Sequence, residues 1–244
     1  MPLMLVTRPA TDAARTQARL GALGIDSEAL PLLDCVPLAS SLPEPKGFAA
    51  LAVTSANALE ALHRRGVLGG FLGLKVFAVG ERTAATAREL GFADVVATGG
   101  TLDHLVAAIA GAELQGPVFY PSARHPSGDL ARSLAAFGVL VVTTRVYDMR
   151  MIEAVPDGVV KRLNSGRFAA ALFYSKRTAE AFVSLLGSRL EARAKSRLGM
   201  LCLSEQVASP LIAARFIRIG LADHPNEAAM MALALSFARD QNTA

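Results

Sequence analysis

At several points in the chain a short apolar run gives way to small hydroxyl or glycine residues and then to a helical pattern. Thr7-Arg8, Thr54-Ser55 with Ala56-Asn57 behind them, Gly80-Glu81-Arg82-Thr83, Ser122, Ser175-Lys176 and Ser204-Glu205 all have this form. If the runs are parallel strands, these residues sit at the carboxyl ends, where open α/β sheets take their ligands. Helix N-termini at that edge present unpaired N–H groups and a partial positive charge, which suits carboxylates or phosphates. Any one Ser or Thr is accounted for by capping a helix. Their collection at one kind of junction points to a site for a polyanion. Within it, Arg8 and Lys176 are candidate carboxylate partners; a buried, bracing Arg8 and a solvated Lys176 are the plainer readings.

Devices for other chemistries are missing. No G-x-G-x-x-G follows a strand and no G-x-x-x-x-G-K-[ST] occurs, which removes the common nucleotide sites. No G-x-S-x-G elbow is present. His63, His104, His125 and His224 are scattered without metal-ligand spacing. Gly69-Gly70-Phe71-Leu72-Gly73 reads as a turn. A function built without these parts works through positioning and hydrogen bonds, with no metal and no other cofactor expected.

The 244 residues are 52% hydrophobic and 19% charged, enough for a real core. A net charge of +4 without a Lys/Arg arm argues against nucleic acid. Cys35 and Cys202, far apart, read as small buried hydrophobes rather than a disulfide. No apolar run reaches the roughly 18 residues of a membrane span, and MPLMLVTRPA lacks the parts of a leader. The expectation is a cytoplasmic protein that does not act at a membrane.

Leu3–Val6, Ala49–Val53, Lys75–Val79, Val118–Tyr120, Val139–Thr143, Ala169–Phe173, Gly199–Leu203 and Arg215–Ile219 are apolar runs with little alternation, as in strands covered on both faces. Leu102/Leu105/Val106/Ile109, Ala179/Phe182/Val183/Leu186 and Met230/Leu233/Ala234/Phe237 have the spacing of helices. Ser127 and Asn226 are candidate N-caps. The proline-bearing stretches Pro31–Gly47 and Tyr147–Pro156 read as strands or linkers. The chain also matches itself: VTSANALEAL from Val53 with FYSKRTAEAF from Phe173, VGERTA from Val79 with LSEQVA from Leu203, and LVTRP from Leu5 with VFYPS from Val118. Three matches in one order predict two copies of one α/β unit.

LVTRP, TSANA, VGERTA, the following L-G-F-A-D, YP-x-x-R with its later L-x-x-F-G, and RVY at Arg145–Tyr147 stand in the order of a known family. Across almost the whole chain the set resembles uroporphyrinogen-III synthase. The resemblance implies two similar parallel-sheet α/β lobes with helices on both faces, joined by a two-strand connection. One lobe is then discontinuous, residues 1–36 plus 151–244, and the other is 37–150. It implies a cofactor-independent, monomeric lyase of tetrapyrrole (heme, porphyrin) biosynthesis. The substrate, hydroxymethylbilane, is a linear tetrapyrrole with many carboxylates. Loss of its terminal hydroxyl as water gives an azafulvene cation. A spiro intermediate follows, and the ring closes with the last pyrrole inverted.

Folding of the substrate matters more in such a reaction than a strong acid or base. By the resemblance, Tyr147 is first choice for a hydroxyl that helps water depart, with Thr83 second. Ser55, Ala56, Asn57, Gly80, Ser122, Ser175, Lys176, Ser204 and Arg8 are the expected substrate-binding positions. Val207 stands where the family often has Thr, Ser204 where it has Gly, and Ser122 where Gly is common. Those departures leave open a non-catalytic two-lobed tetrapyrrole-binding or sensory module. A two-lobed transferase acting on a phosphorylated or nucleotide substrate is the other alternative, and the missing phosphate motifs oppose it.

Overall fold

A computed structural model describes residues 3–126 and 128–243. The chain divides into two units, Met1–Asp34 with Met151–Ala244, and Cys35–Arg150. The first opens with β1 (Leu3–Val6), α1 (Ala10–Ala22) and β2 (Ser27–Ala29). The chain passes to the second unit in β3 (Leu33–Pro37) and continues through β4 (Ala50–Val53), α2 (Ala56–Arg64), β5 (Lys75–Ala78) and α3 (Glu81–Glu89). Then come β6 (Val95–Ala97), α4 (Leu102–Ala110), β7 (Val118–Ala123) and α5 (Leu130–Ala135), and the return is made in β8 (Val141–Met151). The first unit is completed by α6 (Asp157–Asn164), β9 (Phe168–Phe173), α7 (Lys176–Leu186), α8 (Ala192–Arg197), β10 (Gly199–Cys202), α9 (Glu205–Ala213), β11 (Ile219–Leu221) and α10 (Glu227–Thr243).

The sheet of the first unit has the order β11-β10-β9-β1-β2, and that of the second β3-β8-β7-β4-β5-β6. From β2 to β11, and from β8 to β6, neighbouring strands are parallel. β3 runs against β8: Leu38 N–H donates to the Val146 carbonyl (2.8 Å), and Ile152 N–H to that of Leu32 (3.1 Å). β4 and β10 are buried along their whole length, because helices cover both faces and no side of the strand meets water. Successive residues of β4 serve opposite layers. Leu51 and Val53 join a core with Leu59, Leu62, Phe71 and Phe119, while Ala50 and Ala52 join one with Phe77, Leu105, Ile109 and Tyr120. In the first unit Met4, Val6, Leu20, Leu172, Leu201 and Met230 form the corresponding layer.

The two sheets share one strand order, with β8, β7, β4, β5 and β6 standing where β2, β1, β9, β10 and β11 stand. The ladders fix the correspondence. Leu51 lies opposite Val76 and Phe119, and Ala171 opposite Met200 and Leu5. Ser55 therefore matches Ser175, Gly80 matches Ser204, and Thr83 matches Val207, as the self-matches of the sequence have it. The third self-match is displaced by one residue. Leu5 corresponds to Phe119 rather than Val118, which makes Arg8 the counterpart of Ser122. The first residues of both strands are apolar and buried without alternation, so nothing in their pattern marks the register.

Other differences from the sequence reading have local causes. β2 and β6 are three half-buried residues each, too short to show a pattern. β8 runs on past Thr143 through Tyr147 to Met151. β11 begins at Ile219 rather than Arg215, because Arg215 takes a positive φ of 66° in the turn that ends α9. Ser127 lies outside the described residues. α5 is capped by Asp129, whose Oδ1 accepts from Arg132 N–H at 3.0 Å. Asn226 caps α10, accepting from Ala229 N–H at 2.9 Å. Burial pushes the Cys202 thiol up to about 12. Among the described residues no helix is long and apolar enough to cross a membrane.

Candidate functional site

In the second unit, β4 ends in Thr54-Ser55, and Ser55 caps α2, accepting from Asn57 N–H at 3.3 Å. Two tyrosines meet this strand end, one from each face of the sheet. β7 and β8 run in step until Ser122 lies opposite Arg145; then Ala123 lies opposite Tyr147, and Val146 is the extra residue of a bulge. The bulge breaks the alternation of β8, so that Val146 and Tyr147 enter the same core. Tyr147 is 6% exposed, and its hydroxyl is hydrogen-bonded with the Ser55 side chain. Burial raises its phenol pKa, Ser55 opposes the shift, and nearby Cys35 and Tyr120 add to it. The hydroxyl thus keeps its proton at neutral pH and serves as a hydrogen-bond donor or a weak acid.

On the other face Tyr120 places its hydroxyl 3.0 Å from Thr54 Oγ1. Burial raises its pKa, Thr54 lowers it, and the charge of Asp129 raises it again. Tyr120 belongs to the YP-x-x-R segment but was not among the residues picked from sequence. The signal for it was a polar ring closing an apolar run at a strand end, where its hydroxyl needs a partner.

The remaining candidates of this unit differ in how far they are already engaged. Asn57 donates from Nδ2 to Met149 Sδ (3.6 Å), and Ala56, beside it at the start of α2, is buried. Ser122, 1% exposed, donates to the Ala123 carbonyl at 3.2 Å. Gly80 is the N-cap of α3 and supplies no side-chain acceptor to the first turn. A Cβ there would stand in ordinary contact with the β6–α4 loop, 3.4 Å from the Gly100 Cα. Thr83 is buried in the first turn of α3.

In the first unit the same edge is arranged differently. Ser175 caps α7, accepting from Thr178 N–H at 3.2 Å, with the two side-chain oxygens 2.8 Å apart. Lys176 is half exposed, 3.9 Å from Glu180. Ser204 begins α9 without a side-chain capping bond, and Val207 is buried. Arg8 is turned inward. Its Nη1 donates to Glu227 (2.7 Å) and Thr16 (3.3 Å), its Nη2 lies 3.3 Å from Asp12, and its guanidinium lies 4.0 Å above the ring of Tyr174. The Tyr174 hydroxyl donates to Glu227 Oε1 at 3.1 Å. Burial, and then the Glu227 carboxylate, drive the Tyr174 pKa far above the usual phenol range. Two carboxylates of its own unit, Asp12 and Glu227, thus flank the Arg8 guanidinium. Among the described residues no group of His, Cys, Asp and Glu is placed to hold a metal.

Comparison with known proteins adds the following. The family model described as Uroporphyrinogen-III synthase HemD matches residues 14–232. A uroporphyrinogen-III synthetase structure from Helicobacter pylori aligns with a TM-score of 0.66 at 20% identity, covering 97% of this chain and 99% of that one. A mutant uroporphyrinogen III synthase from the extremely thermophilic bacterium Thermus thermophilus aligns with a TM-score of 0.50 at 16% identity over 100% of both chains. At these identities the structural likeness carries the fold. A search of curated proteins found no match.

Proposed function

The chain belongs to the uroporphyrinogen-III synthase family, and from that membership we propose that it closes hydroxymethylbilane into uroporphyrinogen III by a cofactor-independent loss of water, as a cytoplasmic monomer. The observation that supports this reading best is the Tyr147 phenol. It is buried, held on Ser55 by a strand bulge, and kept protonated.

A hydroxyl leaving as water needs a hydrogen bond or a proton as charge develops on its oxygen. Tyr147 supplies the donor in this reading, and its raised pKa makes it a hydrogen-bonding group more than a proton source. Thr83 assists at the same edge. Water loss leaves an azafulvene cation, which the last ring attacks at its substituted carbon. Helix starts, where amide N–H groups are unpaired, are the positions offered to the substrate carboxylates, those of α2, α3, α7 and α9 among them. Ser55, Ala56, Asn57, Gly80, Ser122, Ser175, Lys176 and Ser204 frame those starts. By holding the linear chain coiled, the site favours the spiro route over direct closure.

The test supplies fresh hydroxymethylbilane to the purified protein, without metal or cofactor, and resolves the oxidised products by isomer. A large excess of type III over the spontaneous type I is expected. A mixture equal to the protein-free control would overturn the reading, and tight binding in that case would identify a non-catalytic tetrapyrrole-binding module.

A further inference from the structure

On the face of the second unit's sheet that carries Tyr120, opposite the Tyr147 layer, lies a cavity of about 370 Å³ lined by Tyr120, Ser122, Asp129, Thr143 and Arg145, with loop residues Pro126 and Gly128. Its charges are unevenly used. Farther along the same strands, Asp148 is buried between Arg124 (3.5 Å) and Arg150 (3.3 Å), so those two arginines share one acid. Asp129 spends one oxygen on the α5 cap. Arg145 is exposed, and among the described residues no carboxylate lies within ion-pairing distance of it. Its backbone is held in the β7–β8 ladder opposite Ser122, and its carbonyl accepts from Ser40 at 2.7 Å. A cavity with a free guanidinium on one wall and a tyrosine hydroxyl on another is built for a carboxylate. Arg145 supplies charge and a planar fork. Tyr120, when Thr54 donates to it, is left free to donate onward.

Resting on the function proposed above, we propose that this cavity takes one carboxylate arm of the tetrapyrrole, with Arg145 as its charge partner and Asp129 repelling it toward Arg145. Arg145 is then a binding and positioning residue that takes no part in bond making. Its loss weakens binding and leaves the chemical step alone, and removal of the Asp129 charge does the reverse.

Two measurements are paired: steady-state kinetics on hydroxymethylbilane, and binding of uroporphyrin III followed by fluorescence quenching. Arg145→Gln is expected to raise both KM and the porphyrin Kd about tenfold, with kcat within about twofold and the type III product retained. Arg145→Lys is expected to recover part of the loss. Asp129→Asn, which keeps the cap acceptor, is expected to lower both constants a few-fold. Unchanged KM and Kd in Arg145→Gln would overturn the subsite while leaving the synthase reading intact. Failure of the synthase reading is distinct: no type III product from the unmodified protein, whereupon the porphyrin Kd of the variants decides the subsite alone.

Discussion

The two units carry the same strands in the same order, yet they use the carboxyl edge of the sheet in opposite ways. At the end of the central strand the second unit has Thr54, and the first has Tyr174 in its place. Where the second unit has Ser122 and Thr83, the first has Arg8 and Val207. At the first unit's edge Arg8, Glu227, Asp12, Thr16 and Tyr174 hydrogen-bond and ion-pair with one another, and Arg19 joins them at Glu227. The second unit's hydroxyls are paired singly, Tyr147 with Ser55 and Tyr120 with Thr54, with a cavity alongside. One backbone plan therefore supports an edge of interlinked charges and an edge of paired hydroxyls. The difference resides in a few side chains at matched positions.

Substitutions at matched positions test this contrast. The largest effect is expected from Tyr147→Phe, which should lower kcat by about 100-fold with KM little changed. Tyr174→Phe, at the first unit's position matching Thr54, should stay within about twofold, because that hydroxyl is already given to Glu227. Equal losses in the two variants would end the assignment of chemistry to the second unit. Next comes Glu227→Gln, which strips Arg8 of a charged partner and should cost about 2 kcal/mol of stability in urea unfolding, with little effect on kcat of the folded fraction. Thr83→Val should slow turnover by up to about tenfold, whereas Val207→Thr, adding the hydroxyl that the first unit lacks, should change it by less than twofold. A gain from Val207→Thr would show that the first unit's edge also works on the substrate.

The smallest effect near neutrality is that of pH on stability. Tyr147, Tyr120 and Tyr174 all have raised pKa values, so above the ordinary phenol value of about 10 the unfolded chain releases protons that the folded chain keeps. Stability is then unaffected below that value and falls as pH rises through the folded-state pKa values. Chemical denaturation at several alkaline pH values should show the decline, and it should be shallower in Tyr147→Phe.

Long or fully buried elements were legible in the sequence. β4, β9 and β10 stand out as apolar runs, and α4, α7 and α10 follow from their helical spacing. The hydroxyl-bearing junctions were legible too, because an apolar run ending in Ser before a helix is a local pattern. What escaped was set by pairing. The Val146 bulge depends on how β8 meets β7, and no residue type announces it. The same holds for the one-residue displacement between β1 and β7. Thr54 and Tyr120, far apart in sequence, meet only through the sheet, so Tyr120 went unnoticed. The inward turn of Arg8 needs Glu227, near the other end of the chain. Contacts of that range leave no trace in a local reading.

The crossing of the chain in β3 and again in β8 has a consequence for synthesis. β1 is made ahead of its neighbour β9 by the whole of Cys35–Arg150. At typical elongation speeds β1 waits on the order of ten seconds without that neighbour. The second unit, contiguous in the chain, can fold on the ribosome while the first remains an unfinished sheet with an open apolar strand. Completion of the first unit's sheet is therefore timed by β9 and the strands after it, and β1 is a segment for which a chaperone has a long opportunity.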